Sequence, residues 1–511
     1  MEGVSARALG ADMNAVEPTG ASTAAAPSSG GAELKRHARV GSLWALGVGA
    51  VISGDFFGWN FGLQVGGFGG MLLATAAMTV MYTGLCFSIA EMSAALPHAG
   101  GAYSFARCAF GPWGGWLTGL AESIEYVLTP AVIVVGLGGY LGALTGTAPS
   151  FEPLWWLLCY VLFVSLNAVG VALTFRVSVA ITLLAIAVLI VFFAVGLPQI
   201  DLRRFALPES DADGQLNALG TATGYFPNGA RGALAAWPFA LWFFLAIEQL
   251  PVAAEESENP QRDMPKALLL ALLTLTALAF LTLVVSAGLP PGISALGQSD
   301  EPLLDSLRGL FGEGLTASLL SLCAVAGLAA SFHAIIFGYA RQLFALARSG
   351  YLPHFLANTH SRTRAPVPAL AVGASLGLGI ALLVRALSSA RLPAGAILLS
   401  LAVLGAVVSY VLQMAAFIRL RRRYPRLPRP YRSPLGIPGA LIAMVFALGT
   451  LVALLSGDSD HIAACALLLA AMVAGSVYFA LYARHRLRDS PEELQAARLE
   501  QSLLPATPHR H

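Results

Sequence analysis

Twelve apolar segments run through this chain, near residues 42–64, 70–95, 114–145, 154–173, 177–198, 234–255, 267–289, 314–346, 367–387, 393–418, 436–456 and 461–483. Each is long enough to cross a bilayer, which takes roughly 20 helical residues. In hydrocarbon a backbone N–H or C=O finds no water, so a spanning segment must satisfy its own hydrogen bonds and coil into a helix. The expected fold class is therefore an all-α membrane protein with 12 transmembrane helices. Only 11% of the residues are charged, where soluble domains carry about 25%.

Basic residues orient such a chain, because cytoplasmic loops retain Lys and Arg. With the N-terminus in the cytoplasm, only Arg203, Arg204, Arg231, Arg308, Arg385 and Arg391 of the 30 basic residues fall outside. Both termini are then cytoplasmic. The dense loop "RLRRRYPRLPRPYR" (419–432) serves as an orientation determinant in this reading and calls for no nucleic acid. Residues 1–37 are rich in small and polar types, reading as a disordered tail rather than a cleavable signal, and the stretch after Arg484 reads as a second tail with room for one short surface helix. Cys86, Cys108, Cys159, Cys323 and Cys465 are scattered singly, with no metal-ligand spacing. Neither lysine, Lys35 or Lys266, follows a glycine, so no G-K-[ST] phosphate loop exists. No cofactor is expected, and the chain does not read as an enzyme.

The informative residues are acids inside spans, where a charge costs roughly 2.5–3.5 kcal/mol on insertion scales. Asp55 lies in span 1, Glu122 and Glu125 in span 3, and Glu248 in span 6. Glu122 and Glu125 are three residues apart and share a helix face, so their repulsion favours a retained proton on one of them. Either acid also serves as packing glue if it meets Ser, Thr or Tyr groups. Glu91, near the inner end of span 2, reads as an interface or gate residue. His333 in span 8 is the one base read as lying deep inside, as a proton relay or as a neutral ring held by a carbonyl. Ser53-Gly54-Asp55 interrupts span 1: the helix either kinks there for packing or unwinds so that backbone groups face a ligand, and the carboxylate favours unwinding. A second break is expected five spans on, where Pro238 and Pro251 bracket Glu248.

Four stretches carry a resemblance: "VISGDFFG" (51–58), "AEMSAALPHAGGAYSFARCAFGPWGGWLTG" (90–119), "EESENPQRDMPKAL" (255–268) and "YARQLFALARSGYLPHFL" (339–356). With these the chain, over about 38–485, resembles the amino acid, polyamine and organocation (APC) transporter superfamily. Through "SGDFFGWNFGL" (53–63) and "SFHAIIFGYARQLFALARSGY" (331–351) it looks most like ethanolamine permeases. The resemblance implies five-plus-five inverted repeats with helices 1 and 6 broken. Residues 38–200 would form the first repeat, and 201–420 the second, with an outer loop at 199–233. Helices 11–12 would occupy 421–485, and 486–511 the cytoplasmic tail. It also implies that Ser53 and Gly54 offer N–H groups to substrate, and that carbonyls around Phe244 to Ala246 take an ammonium. Glu125 or Tyr126 would line the side-chain pocket, and Trp242 would gate it. Trp242 has an ordinary alternative as packing in the membrane core.

Asp55 departs from the apolar residue usual after the glycine; it repels a substrate carboxylate and attracts a cation. Ala246-Ile247 stands where the family usually has glycine, and Ala185 where several proton-coupled relatives carry lysine. The expected function is alternating-access import of a small organic amine, most like ethanolamine. Glu122, Glu248 and His333 would serve proton coupling or gating in the inner membrane. The alternatives are a permease for zwitterionic amino acids or polyamines and a non-transporting amine sensor. The expected partners are the amine substrate, a coupling proton or cation, and lipid.

Overall fold

A computed structural model describes residues 37–207, 224–312, 315–387, 394–456 and 459–502. The expected N-terminal tail up to residue 36, the middle of the outer loop (208–223), Arg391 and residues 503–511 of the C-terminal tail lie outside the described residues. The principal helices in chain order are α1 (Val40–Val51), α2 (Phe61–Ala95), α3 (Gly101–Phe110), α4 (Pro112–Thr145), α5 (Glu152–Val169), α6 (Val171–Gly196), α7 (Gly229–Ala235) and α8 (Trp237–Leu241). They continue with α9 (Pro260–Ala287), α10 (Pro302–Phe311), α11 (Leu315–Arg348), α12 (Val367–Leu387), α13 (Ala394–Arg423), α14 (Gly436–Leu455), α15 (Ser459–Leu481) and α16 (Pro491–Gln501). The one extended pairing among the described residues is an isolated bridge between Ala38 and Ser257.

Nine of the described helical stretches are long and apolar enough to cross a membrane. Span 1 falls short as a helix because α1 stops at Val51 and passes into a 3-10 turn, Ile52–Asp55. Span 6 is divided as well, between α8 and a 3-10 segment, Ile247–Glu256. From Leu315 onward, span 8 lies within the 34-residue α11. Between spans 1 and 2, α2 is bent at Gly67, whose φ of 63° and ψ of −175° suit a residue without Cβ. Pro112 opens α4 at a first-turn position where a missing N–H costs nothing.

Lipid-facing surface and protein core separate by residue type. Exposed Leu, Ile and Val line α5, α6, α14 and α15, for example Val161 at 57%, Ile190 at 57%, Val445 at 64% and Leu469 at 65% exposure, and a band of that kind has no place in water. α4 is enclosed between α11 and α13, and α1 packs on α9, α6 and α11. The acids of span 3 and the break in span 1 are thereby carried to the middle of the molecule.

Among the described residues, one charge pair has both side chains wholly enclosed. Arg341 of α11 donates to Glu256 Oε1 at 3.0 and 3.2 Å, both side chains are 0% exposed, and the guanidinium sits 3.4 Å over the Phe337 ring. Arg341→Leu leaves Glu256 uncompensated and is expected to destabilise the protein by about 3–5 kcal/mol. Replacing both partners by leucine removes most of that cost. Thermal unfolding in detergent of the two variants checks the difference.

Candidate substrate site between the two breaks

The two breaks meet at backbone distance. A Cβ on Gly54 would lie 2.7 Å from the Trp242 carbonyl oxygen and 3.1 Å from the Phe243 Cα, so only glycine permits the approach. The Trp242 indole N–H donates to the Phe57 carbonyl at 2.9 Å and the Tyr140 hydroxyl to that of Phe56 at 2.8 Å. Carbonyls freed by unwinding are satisfied in this way, as burial requires. Trp59 stacks on Phe243 at 5.6 Å and Phe244 on Tyr82 at 5.1 Å.

The second break forms without glycine. Ala246 takes φ 77° and ψ 6°, a left-handed conformation that costs an alanine roughly 1–2 kcal/mol. Residues held in this way persist where surrounding packing over-determines them, which is common at ligand sites. Ala246 is 0% exposed, with Phe244 and Ile247 equally enclosed.

The acids divide into two groups. Asp55, 1% exposed, accepts from the Thr282 hydroxyl of α9 at 3.0 Å. Glu122 is held by two donors, the Tyr126 hydroxyl at 2.9 Å and the Gln342 amide at 2.7 Å. Glu125 points elsewhere. Its carboxyl lies close to that of Glu248 in the second break, with Glu122 nearby. The Tyr410 hydroxyl lies beside Glu248 and 2.9 Å from that of Tyr82. Neither Glu125 nor Glu248 has a cationic partner among the described residues. Three buried carboxyls without a base form a place for a proton or a cation.

Ser53 donates its backbone N–H to Ser331 Oγ at 2.8 Å, and that hydroxyl donates on to the Gly49 carbonyl at 2.7 Å. The structure therefore occupies one of the two backbone donors that the resemblance assigns to a substrate carboxylate. His333 stands apart from the carboxyls: its Nδ1 meets the Asn167 amide and its Nε2 the Thr174 carbonyl, each at 3.1 Å, on α5 and α6. Glu91 ties the basic loop down, meeting Arg421 at 2.5 Å and Arg429 at 3.0 Å.

Sequence reasoning missed Tyr82, Tyr410, Gln342, Thr282 and the Arg341–Glu256 pair. Arg341 is a second fully buried base beside His333. Uncharged donors carry little signal in an apolar window, and an arginine near the end of a span reads as an ordinary loop anchor.

Residues 40–476 match the family model described as amino acid permease. An uncharacterized transporter of Rhizobium meliloti is 28% identical over 422 residues, covering 81% of this chain and 85% of the relative. A branched-chain amino acid permease of Bacillus subtilis is 26% identical over 437 residues, covering 81% and 86%. A methylthioribose transporter of the same species is 24% identical over 418 residues, covering 78% and 84%.

Proposed function

Because this chain belongs to the amino acid permease family, a multi-pass membrane protein among relatives that are transporters, we propose that it is a secondary transporter for a small organic amine, with ethanolamine the best-fitting substrate. The observation that carries this reading is the Glu125–Glu248 pair, two enclosed carboxyls beside the second break with no basic partner of their own among the described residues. An ammonium between them relieves their repulsion and receives the carbonyls around Phe244 to Ala246. Asp55 and Tyr126 complete the anionic and polar lining, Ser53 or the Gly54 backbone takes the hydroxyl, and Trp242 closes over the cation by cation–π attraction.

Two further observations favour an amine without a carboxylate. Asp55 would repel one, and the Ser53 N–H is already engaged by Ser331. The substrates for which the relatives are named, a branched-chain amino acid and methylthioribose, differ enough that family membership leaves the substrate to the pocket. Glu122 and Glu248 are the proposed proton-coupling groups and His333 a gating residue. The proposed topology has twelve spans, with two five-helix inverted repeats and both termini in the cytoplasm; in a bacterial cell it would lie in the inner membrane.

Uptake of radiolabelled ethanolamine into proteoliposomes tests the reading. Saturable uptake is expected, blocked by excess unlabelled ethanolamine and spared by alanine. Asp55→Asn is expected to lose it by roughly tenfold or more, the cost of a weakened charge interaction in a dry site. Inhibition by alanine but not ethanolamine would return the substrate to the zwitterionic amino acids. Transport indifferent to both a pH gradient and membrane potential would remove the proton from the scheme.

A further inference from the structure

The segment after α15, expected as a tail with room for one short surface helix, forms α16 and docks on the rest of the molecule. Ser490 caps α16, its Oγ accepting from the Glu493 N–H at 3.3 Å and lying 2.7 Å from Ser349 Oγ, to which the Tyr103 hydroxyl donates at 2.5 Å. Arg348, the last residue of α11, donates to Glu255 at 2.7 Å and also to Glu492. Arg107 of α3 meets Glu493 at 2.5 Å and Glu500 at 3.4 Å, and the Tyr351 hydroxyl donates to Glu493 at 3.2 Å. His98, just before α3, bonds to Gln495. Exposed ion pairs contribute little, but Glu492 is 0% and Ser490 1% exposed. Taking such groups out of water is unfavourable unless every partner is in place.

These contacts tie α16 to three parts of the molecule. Glu255 is the last residue but one of the segment that carries Glu248, Arg107 belongs to α3, and Arg348 ends the helix that supplies Gln342 and Arg341. We propose that these three parts line one mouth of the substrate path, on the face that the distribution of basic residues assigns to the cytoplasm, and that α16 is its latch: while it is docked, Arg348 is shared between Glu255 and Glu492, and the substrate path to this face stays shut. Opening requires the second break to move away from α11, and that motion breaks the Arg348 bridge. The inference needs only that the chain is a permease and holds whichever amine it carries.

Cys108 reports the latch directly. It lies on α3 close to Glu492, Glu493 and Glu500, is 3% exposed, and burial pushes its thiol up to about 12, so it reacts slowly while covered. Ser257, fully buried near Glu255, reports the mouth through the near-isosteric Ser257→Cys. Each reporter is the sole cysteine of a full-length chain in nanodiscs, where an impermeant maleimide reaches both faces. The double substitution Glu492→Gln/Glu493→Gln is expected to speed labelling at both reporters by roughly tenfold or more, as local opening becomes accessible. Reversing the other pair, Arg107→Glu with Glu493→Arg, is expected to keep labelling slow and shows that the charges act through docking. Unchanged labelling of Cys108 in the double substitution overturns the proposal, because those carboxylates then do not hold α16. Faster labelling of Cys108 with unchanged labelling at position 257 also overturns it, because α16 is then a cover and not a latch.

Discussion

Gly54→Ala is expected to cut ethanolamine uptake by roughly ten- to a hundredfold while the protein still assembles and inserts. The added Cβ meets the Trp242 carbonyl at 2.7 Å and the Phe243 Cα at 3.1 Å, and neither is the movable end of a side chain. Overpacking of this kind costs about 1–3 kcal/mol. Here the cost falls on the closed arrangement of the two breaks, because that is where their backbones touch. Separating them also disturbs the bond from the Trp242 indole to the Phe57 carbonyl, and with it the gate over the site. Each 1.4 kcal/mol is a factor of ten, so uptake should fall by roughly ten- to a hundredfold. Gly41→Ala, at the start of α1, supplies the control, since a Cβ there meets nothing within 4 Å. Initial uptake rates normalised to folded protein decide the matter, and full activity in Gly54→Ala would show that the breaks part during transport without passing through this contact.

Glu125→Gln is expected to separate function from stability. If the facing carboxyls exist to hold a cation, the empty site contains their mutual repulsion, and neutralising one relieves it. The thermal midpoint of the substrate-free protein should then hold steady or rise, since the new amide can donate to Glu248. Ethanolamine binding should weaken by about 2–5 kcal/mol, the usual cost of losing one partner of an enclosed charge pair. A residue serving only as packing glue behaves in the opposite way, losing stability first. Glu122→Gln is a contrasting case, because Glu122 already accepts from Tyr126 and Gln342 and its loss leaves the Gln342 amide facing another amide. Calorimetric unfolding with and without ethanolamine, for both variants, reads the two quantities from one experiment.

The sequence alone determined those features that solvent dictates. Apolar length required helices, because hydrocarbon leaves the backbone no other partner. The cost of a buried charge singled out Asp55, Glu122, Glu125 and Glu248, all of which are enclosed. Ser53-Gly54 marked the first break, since a helix has little other use for that interruption beside a carboxylate. The second was harder to read: Ala246 carries no local signal for φ 77°, and its conformation is imposed by packing around it. Which acids meet was also beyond the sequence. Spacing put Glu122 and Glu125 on one face of α4, yet the helices across from that face gave Gln342 to the first and Glu248 to the second. His333 was drawn to α5 and α6 by Asn167 and Thr174. Glu492, read from the sequence as part of a tail with room for one short surface helix, found Arg348. Partners more than a hundred residues apart are chosen by how helices pack, and packing depends on the shapes of many side chains together. Hydropathy along the chain records where a residue lies relative to the bilayer, and tertiary structure decides what it faces there.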